Sequence, residues 1–158
     1  MSAQLDNLTN LQPVEGFDSP NTMHFISLLC DDHDCASLNE VTLSLDAPKV
    51  ETQCVGCRKP IKIKMKAFGY AFTKEDSDKK EFTPLLQFRC TQGFAPLYYT
   101  FDDDWQAEVE STGATVPVVG LSDNKELHHD INDEDGNPIG KIYNLETAFV
   151  PKSAWETD

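Results

Sequence analysis

"PIKIKMK", residues 60–66, sorts its side chains into two sets: Ile61, Ile63 and Met65 at odd positions, Lys62, Lys64 and Lys66 at even ones. Successive side chains of a strand point to opposite faces, so period two puts each set on its own side, whereas helical spacing scatters both. The segment reads as a half-buried strand, extended through "AFGYAF" to residue 72. The same reading spreads outward. "EVTLSL", 40–45, alternates Val41, Leu43 and Leu45 with polar residues, "APK" makes a turn, and "VETQC", 50–54, follows as a strand. "MHFISLLC", 23–30, is a strand before it. "TKEDSDKKE", 73–81, is a charged loop tip joining the lysine strand to "FTPLLQFRC", 82–90, in a long antiparallel hairpin. Pro84 places the start of that partner strand at an edge or bulge. "PLYYTF", 96–101, "TVPVVGL", 115–121, and "PIGKIYNLETAFV", 138–150, supply further strands.

"DDDWQAEVE", 102–110, predicts one short helix, with an aspartate as N-cap and negative charge at the positive end of the dipole. "DNKELHHDINDEDGN", 123–137, reads as a polar loop with solvated histidines. The fold expected is mostly β, or a β-rich α+β: an antiparallel sheet domain, one domain overall. Within it, 1–22 is expected as a flexible N-terminal tail, 23–72 as the segment holding the cysteine pairs, 73–150 as an antiparallel β segment packed with it, and 151–158 as a C-terminal tail.

Four of the five cysteines and one of the four histidines lie within residues 30–57, as "CDDHDC" (30–35) and "CVGC" (54–57). Zinc prefers tetrahedral thiolate and imidazole ligands, and structural sites close all four positions. "CVGC" has the spacing of a knuckle, a tight turn aiming two sulfurs at one metal, with Gly56 admitting an unusual backbone angle. The second pair comes from Cys30, His33 and Cys35. Cys30 with Cys35 ranks first, giving Cys30, Cys35, Cys54 and Cys57; Cys30 with His33, or His33 with Cys35, are the alternatives. Asp31, Asp32 and Asp34 are hard ligands, less suited to a thiolate site.

The two pairs, joined by a hairpin of strands 40–45 and 49–53, resemble the zinc-ribbon motif over residues 28–66. The likeness is one of architecture. It departs from the usual pattern in the longer first spacer and in Arg58, which stands where a glycine often follows the second pair. It implies a structural zinc ion. Cys90, alone, reads as a small core hydrophobe.

The net charge of −14 is unevenly spread: −7 over 1–50, +4 over 51–100 and −11 over 101–158. An acidic total disfavours phosphate backbones and suits basic partner surfaces. Lys62, Lys64 and Lys66 offer a basic binding face, for phosphates or equally for an acidic surface of the chain itself or of a partner; alternating lysines are also how an exposed strand is guarded against aggregation. The calcium-loop pattern fails around 128–137 in both registers. There is no nucleophile elbow, phosphate-binding glycine loop or H-E-x-x-H. No basic apolar leader and no membrane-spanning run are visible, so a cytoplasmic protein with reduced thiols is expected. The expectation is a non-enzymatic acidic interaction protein with structural zinc, acting on a protein partner that has a basic surface and handles nucleic acid. The alternatives are a nucleic-acid-binding ribbon module and a structural subunit of a larger assembly.

Overall fold

The computed structural model describes residues 1–122 and 128–151. Twelve strands and one helix are described: β1 (Ser2–Asp6), β2 (Leu8–Pro13), β3 (His24–Cys30), β4 (Leu38–Leu43), β5 (Lys49–Gln53), β6 (Pro60–Ala67), α1 (Lys74–Lys79), β7 (Leu86–Cys90), β8 (Phe94–Thr100), β9 (Trp105–Val109), β10 (Thr115–Val118), β11 (His128–Asn132) and β12 (Pro138–Glu146). They form four three-stranded antiparallel sheets, ordered β1-β12-β11, β10-β9-β2, β4-β3-β8 and β5-β6-β7. The β-rich antiparallel fold expected from the sequence is present.

Two apolar cores divide the sheets. One gathers Leu5, Leu8, Leu11, Trp105, Val109, Ile131 and Ile142 from the strands at both ends of the chain. The other gathers Ile26, Leu28, Val41, Leu43, Ile61, Ile63 and Met65 with Cys30 and Cys54. Most of residues 24–100 thus form a unit inserted between β2 and β9, which pair with each other, while Phe72 and Leu85 from within that span join the terminal core. Leu86 and Tyr99 pack against both cores. At this junction the Phe17 ring stacks on His24 and meets Trp105 edge-on, with centroids 6.2 and 5.4 Å apart.

The strand at 60–66 behaves as its alternation dictates: Ile61, Ile63 and Met65 are buried and Lys62, Lys64 and Lys66 exposed. Elsewhere the structure corrects the sequence. Residues 2–13 are β1 and β2 rather than a tail, with Leu8 and Leu11 fully buried. Burying each such side chain stabilises by about 2 kcal/mol, enough to hold a segment that is otherwise polar. Gly140 allows β12 to approach β2, since a Cβ there would lie 2.7 Å from Leu8 Cγ.

Residues 105–109 are a strand, not a helix, because Trp105, Ala107 and Val109 all face the core and the intervening residues do not. The charged tip at 73–81 contains α1, started by a capping box in which the Thr73 hydroxyl accepts from the Asp76 N–H and the Asp76 carboxylate accepts from the Thr73 N–H. This helix docks on β1 through Ser77 Oγ, which accepts from the Leu5 N–H at 2.8 Å.

The first five residues of the expected loop 123–137 lie outside the described residues, as does the expected C-terminal tail from 152 onward. Residues 128–132 are β11. His128 and His129 point to opposite faces, His128 exposed and His129 buried rather than solvated. Among the described residues no helix is long and apolar enough to cross a membrane.

Candidate metal centre

Each cysteine pair closes its own hairpin. "CDDHDC" links β3 to β4, which pair from His24↔Leu43 to Leu29↔Leu38, and "CVGC" links β5 to β6, which pair from Lys49↔Lys64 to Gln53↔Pro60. The expected hairpin of 40–45 with 49–53 does not form: β4 and β5 belong to different sheets. Each of these strands finds its partner across its own cysteine turn.

The two turns share one construction. In the first, the Cys30 N–H donates to Ser37 O at 3.0 Å, and the Cys35 and Ala36 N–H groups donate to Asp32 O at 3.0 and 2.8 Å. In the second, the Cys54 N–H donates to Lys59 O at 2.9 Å and the Arg58 N–H to Cys54 O at 3.0 Å. The residue after each second cysteine is left-handed, Ala36 at φ 46° and Arg58 at φ 64°. Reversing the chain there turns both sulfurs inward. The longer first spacer is taken up within the turn, so the sulfurs still converge.

Their four Sγ atoms lie within 4.8 Å of one another. Cys30 and Cys57 are 3.9 Å apart and Cys35 and Cys54 3.5 Å. A zinc–sulfur bond of about 2.3 Å sets tetrahedron edges of about 3.8 Å, so the arrangement has the size of one zinc tetrahedron. His33 is exposed and outside the cluster. Cys90 is half-buried on β7, also apart from it, and burial pushes its thiol up to about 11.

Neighbouring groups prepare the site for charge. The Cys57 N–H, with help from the Asn39 side-chain amide and the Gly56 N–H, holds the Cys54 thiol down to about 6. The Ser37 hydroxyl and N–H lower Cys35. At Cys30 the Asp32 N–H favours the thiolate, but burial and hydrogen bonding with Cys35 and Cys57 outweigh it and push the thiol up to about 12. Four crowded sulfurs cannot all ionise unaided, and a divalent cation among them removes that penalty.

The sequence points to the cysteines but not to their supports. Asn39, 3% exposed on β4, reaches from one hairpin to the other turn. Its Oδ1 accepts from the Val55 N–H at 2.8 Å and its Nδ2 stands 3.5 Å from Cys54 Sγ. Lys59 Nζ pairs with Asp32 Oδ2 at 2.7 Å across the two tips; each lowers the other's tendency to become neutral, raising the lysine and depressing the carboxyl. Gly56 serves by size rather than backbone angle: a Cβ there would collide with the Ser37 hydroxyl and stand 2.6 Å from Cys35 Sγ. No spacing in the chain singles out Asn39 or Ser37.

Lys62, Lys64 and Lys66 lie on the solvent side of β5-β6-β7, away from the sulfurs.

A solved structure titled "Crystal Structure of C1orf123" is similar over 90% of both chains, with a TM-score of 0.65 and 19% identity, a likeness of fold. No curated protein matches the chain. The family model described as "CXXC motif containing zinc binding protein, eukaryotic" matches residues 1–150. In this sequence the two-residue spacing of that description occurs at Cys54–Cys57, whereas Cys30 and Cys35 are separated by four residues. Taken with the clustered sulfurs, the match gives the protein a structural zinc site. The chain belongs to the eukaryotic CXXC motif containing zinc binding protein family.

Proposed function

We propose that this is a non-enzymatic binding protein, in which zinc fixes a scaffold and charged surfaces engage a protein partner. Four thiolates fill a tetrahedron and leave the metal no open position for water or substrate, which supports a structural rather than catalytic ion. The observation that carries the reading is the distribution of charge over the two units. Residues 24–100 hold ten basic and ten acidic side chains, so the whole net charge of −14 falls on the rest of the chain. The described part of that remainder forms the unit of β1, β2 and β9–β12, onto which α1 docks, with Asp103, Asp104, Glu110, Asp133, Glu134 and Asp135 exposed.

An acidic unit on a neutral, metal-fixed base suits a partner with a basic surface, such as a nucleic-acid-handling protein whose groove it occupies in place of phosphates. The reading places the protein in a reducing cytoplasm, where the thiolates remain available to zinc. Partner binding measured at low and high salt tests it. Affinity that falls steeply with salt, and falls again when Asp102, Asp103 and Asp104 are changed to Asn, supports the reading; affinity indifferent to both overturns it.

A further inference from the structure

The solvent face of the β5-β6-β7 sheet carries a charge pattern that the acidic unit does not explain. Strand register aligns Lys49 with Lys64 and Lys64 with Arg89, so three cations stand in one row across the sheet. All three are exposed, and none forms an ion pair among the described residues. Like charges directly opposite one another destabilise a sheet. Lys62 and Lys66 flank the row along β6; Lys62 meets Glu51 at 3.5 Å, with both side chains about 70% exposed, a contact that water and competing ions readily displace.

Strands lie about 4.8 Å apart, so the row is about 10 Å long, and the lysines of β6 recur every 6.8 Å or so. Their opposite faces, Ile61, Ile63 and Met65, pack in the same core as Cys30 and Cys54, which makes the face rigid. We propose that this face docks an extended acidic segment of a partner protein, with carboxylates on alternate residues lying along β6.

Charge complementarity selects that occupant. An extended peptide repeats its side chains at the same two-residue interval as Lys62, Lys64 and Lys66. Both edges of β6 are already paired, with β5 and β7, so the contact is made by side chains rather than by adding a strand. Nucleic acid fits less well. The strand residues of the face carry lysine, arginine, glutamate, glutamine and proline, with no aromatic ring on which a base would stack. A long polyanion would also meet the acidic unit, whereas a short segment is confined to the cationic row. The proposal concerns a different face and a partner of opposite charge from those of the proposed function, and it stands or falls separately.

The test uses the zinc-loaded full chain and a labelled oligoglutamate peptide, with a single-stranded oligonucleotide of equal charge as comparison. Peptide binding should weaken about tenfold in Lys64→Glu/Arg89→Glu and change less than about twofold in Lys79→Glu/Lys80→Glu, which alters net charge equally at the C-terminal end of α1. Zinc content and thermal midpoint check that both variants are folded. Equal weakening in the two variants, no peptide binding at low salt, or tighter face-dependent binding of the oligonucleotide would each overturn the proposal.

Discussion

Asn39 reaches across from β4 and places its amide nitrogen 3.5 Å from Cys54 Sγ. One buried side chain thereby joins the first hairpin to the second sulfur pair while its oxygen holds the Val55 N–H. Groups that orient a metal's ligands typically contribute 10–100-fold to affinity, roughly speaking. Asn39→Ala should weaken zinc binding by about tenfold or more on that scale, measured by chelator competition. An unchanged affinity would mean that the bond is incidental to the metal.

Zinc removal should not affect the two units equally. Cys30 and Cys54 are members of the inserted unit's core and absent from that of the terminal unit. Hydrogen exchange after chelation should show protection lost first in β3–β6 and kept longer in β2, β9 and β12. Simultaneous loss throughout would show one cooperative unit.

Arg58 occupies a left-handed conformation at φ 64°. A non-glycine residue there costs about 1 kcal/mol, which glycine avoids. Arg58→Gly should therefore raise the stability of the zinc-loaded protein by something near 1 kcal/mol, less the added entropy of the unfolded chain, as read from denaturant midpoints. A fall in midpoint would show that the arginine side chain contributes more than its backbone strain costs.

His24 is fully buried, with Nδ1 2.9 Å from Tyr99 Oη and no hydrogen-bond partner for Nε2 among the described residues. Burial lowers its pKa from 6.5 to about 4, against a smaller raising effect from the Phe17 backbone. Below about pH 6.5 the unfolded chain takes up a proton that the folded state refuses. Stability contributed by the neutral ring is therefore present above that pH and lost progressively as the pH falls towards 4. The loss amounts to at most about 3 kcal/mol. Urea unfolding at about pH 7 and about pH 5 should show a smaller acid loss in His24→Gln than in the unaltered protein, the contribution of the thiolates being common to both.

Legibility along the chain followed the continuity of alternation. β6 keeps strict period two for its whole length, and its register could be read residue by residue. β1 and β2 escaped because Asn7 and Asn10 adopt positive φ, at 53° and 51°, and the pairing with β9 shifts between Thr9 and Gln12. Each irregularity resets which positions face inward, so Leu5, Leu8 and Leu11 show a spacing of three that fits no strand. At 102–110 the three aspartates imitated a helix start, while the alternation of Trp105, Ala107 and Val109 ran too briefly to outweigh them. The cysteine spacing identified the sulfurs, since metal geometry constrains it directly. Asn39 is fixed only by the approach of two hairpins, a relation between distant segments that leaves no local mark.

The insertion of residues 24–100 between β2 and β9 also sets an order of assembly during synthesis. Ser2 pairs with Glu146, so β1, once made, must wait for β12. Both cysteine turns emerge long before that and can capture their ion while β1 is still unpartnered. For the interval between, the leucines of the first two strands are open to whatever in the cell shelters nascent chains. A slow translation of the second half would prolong that exposure without touching a single contact of the finished molecule.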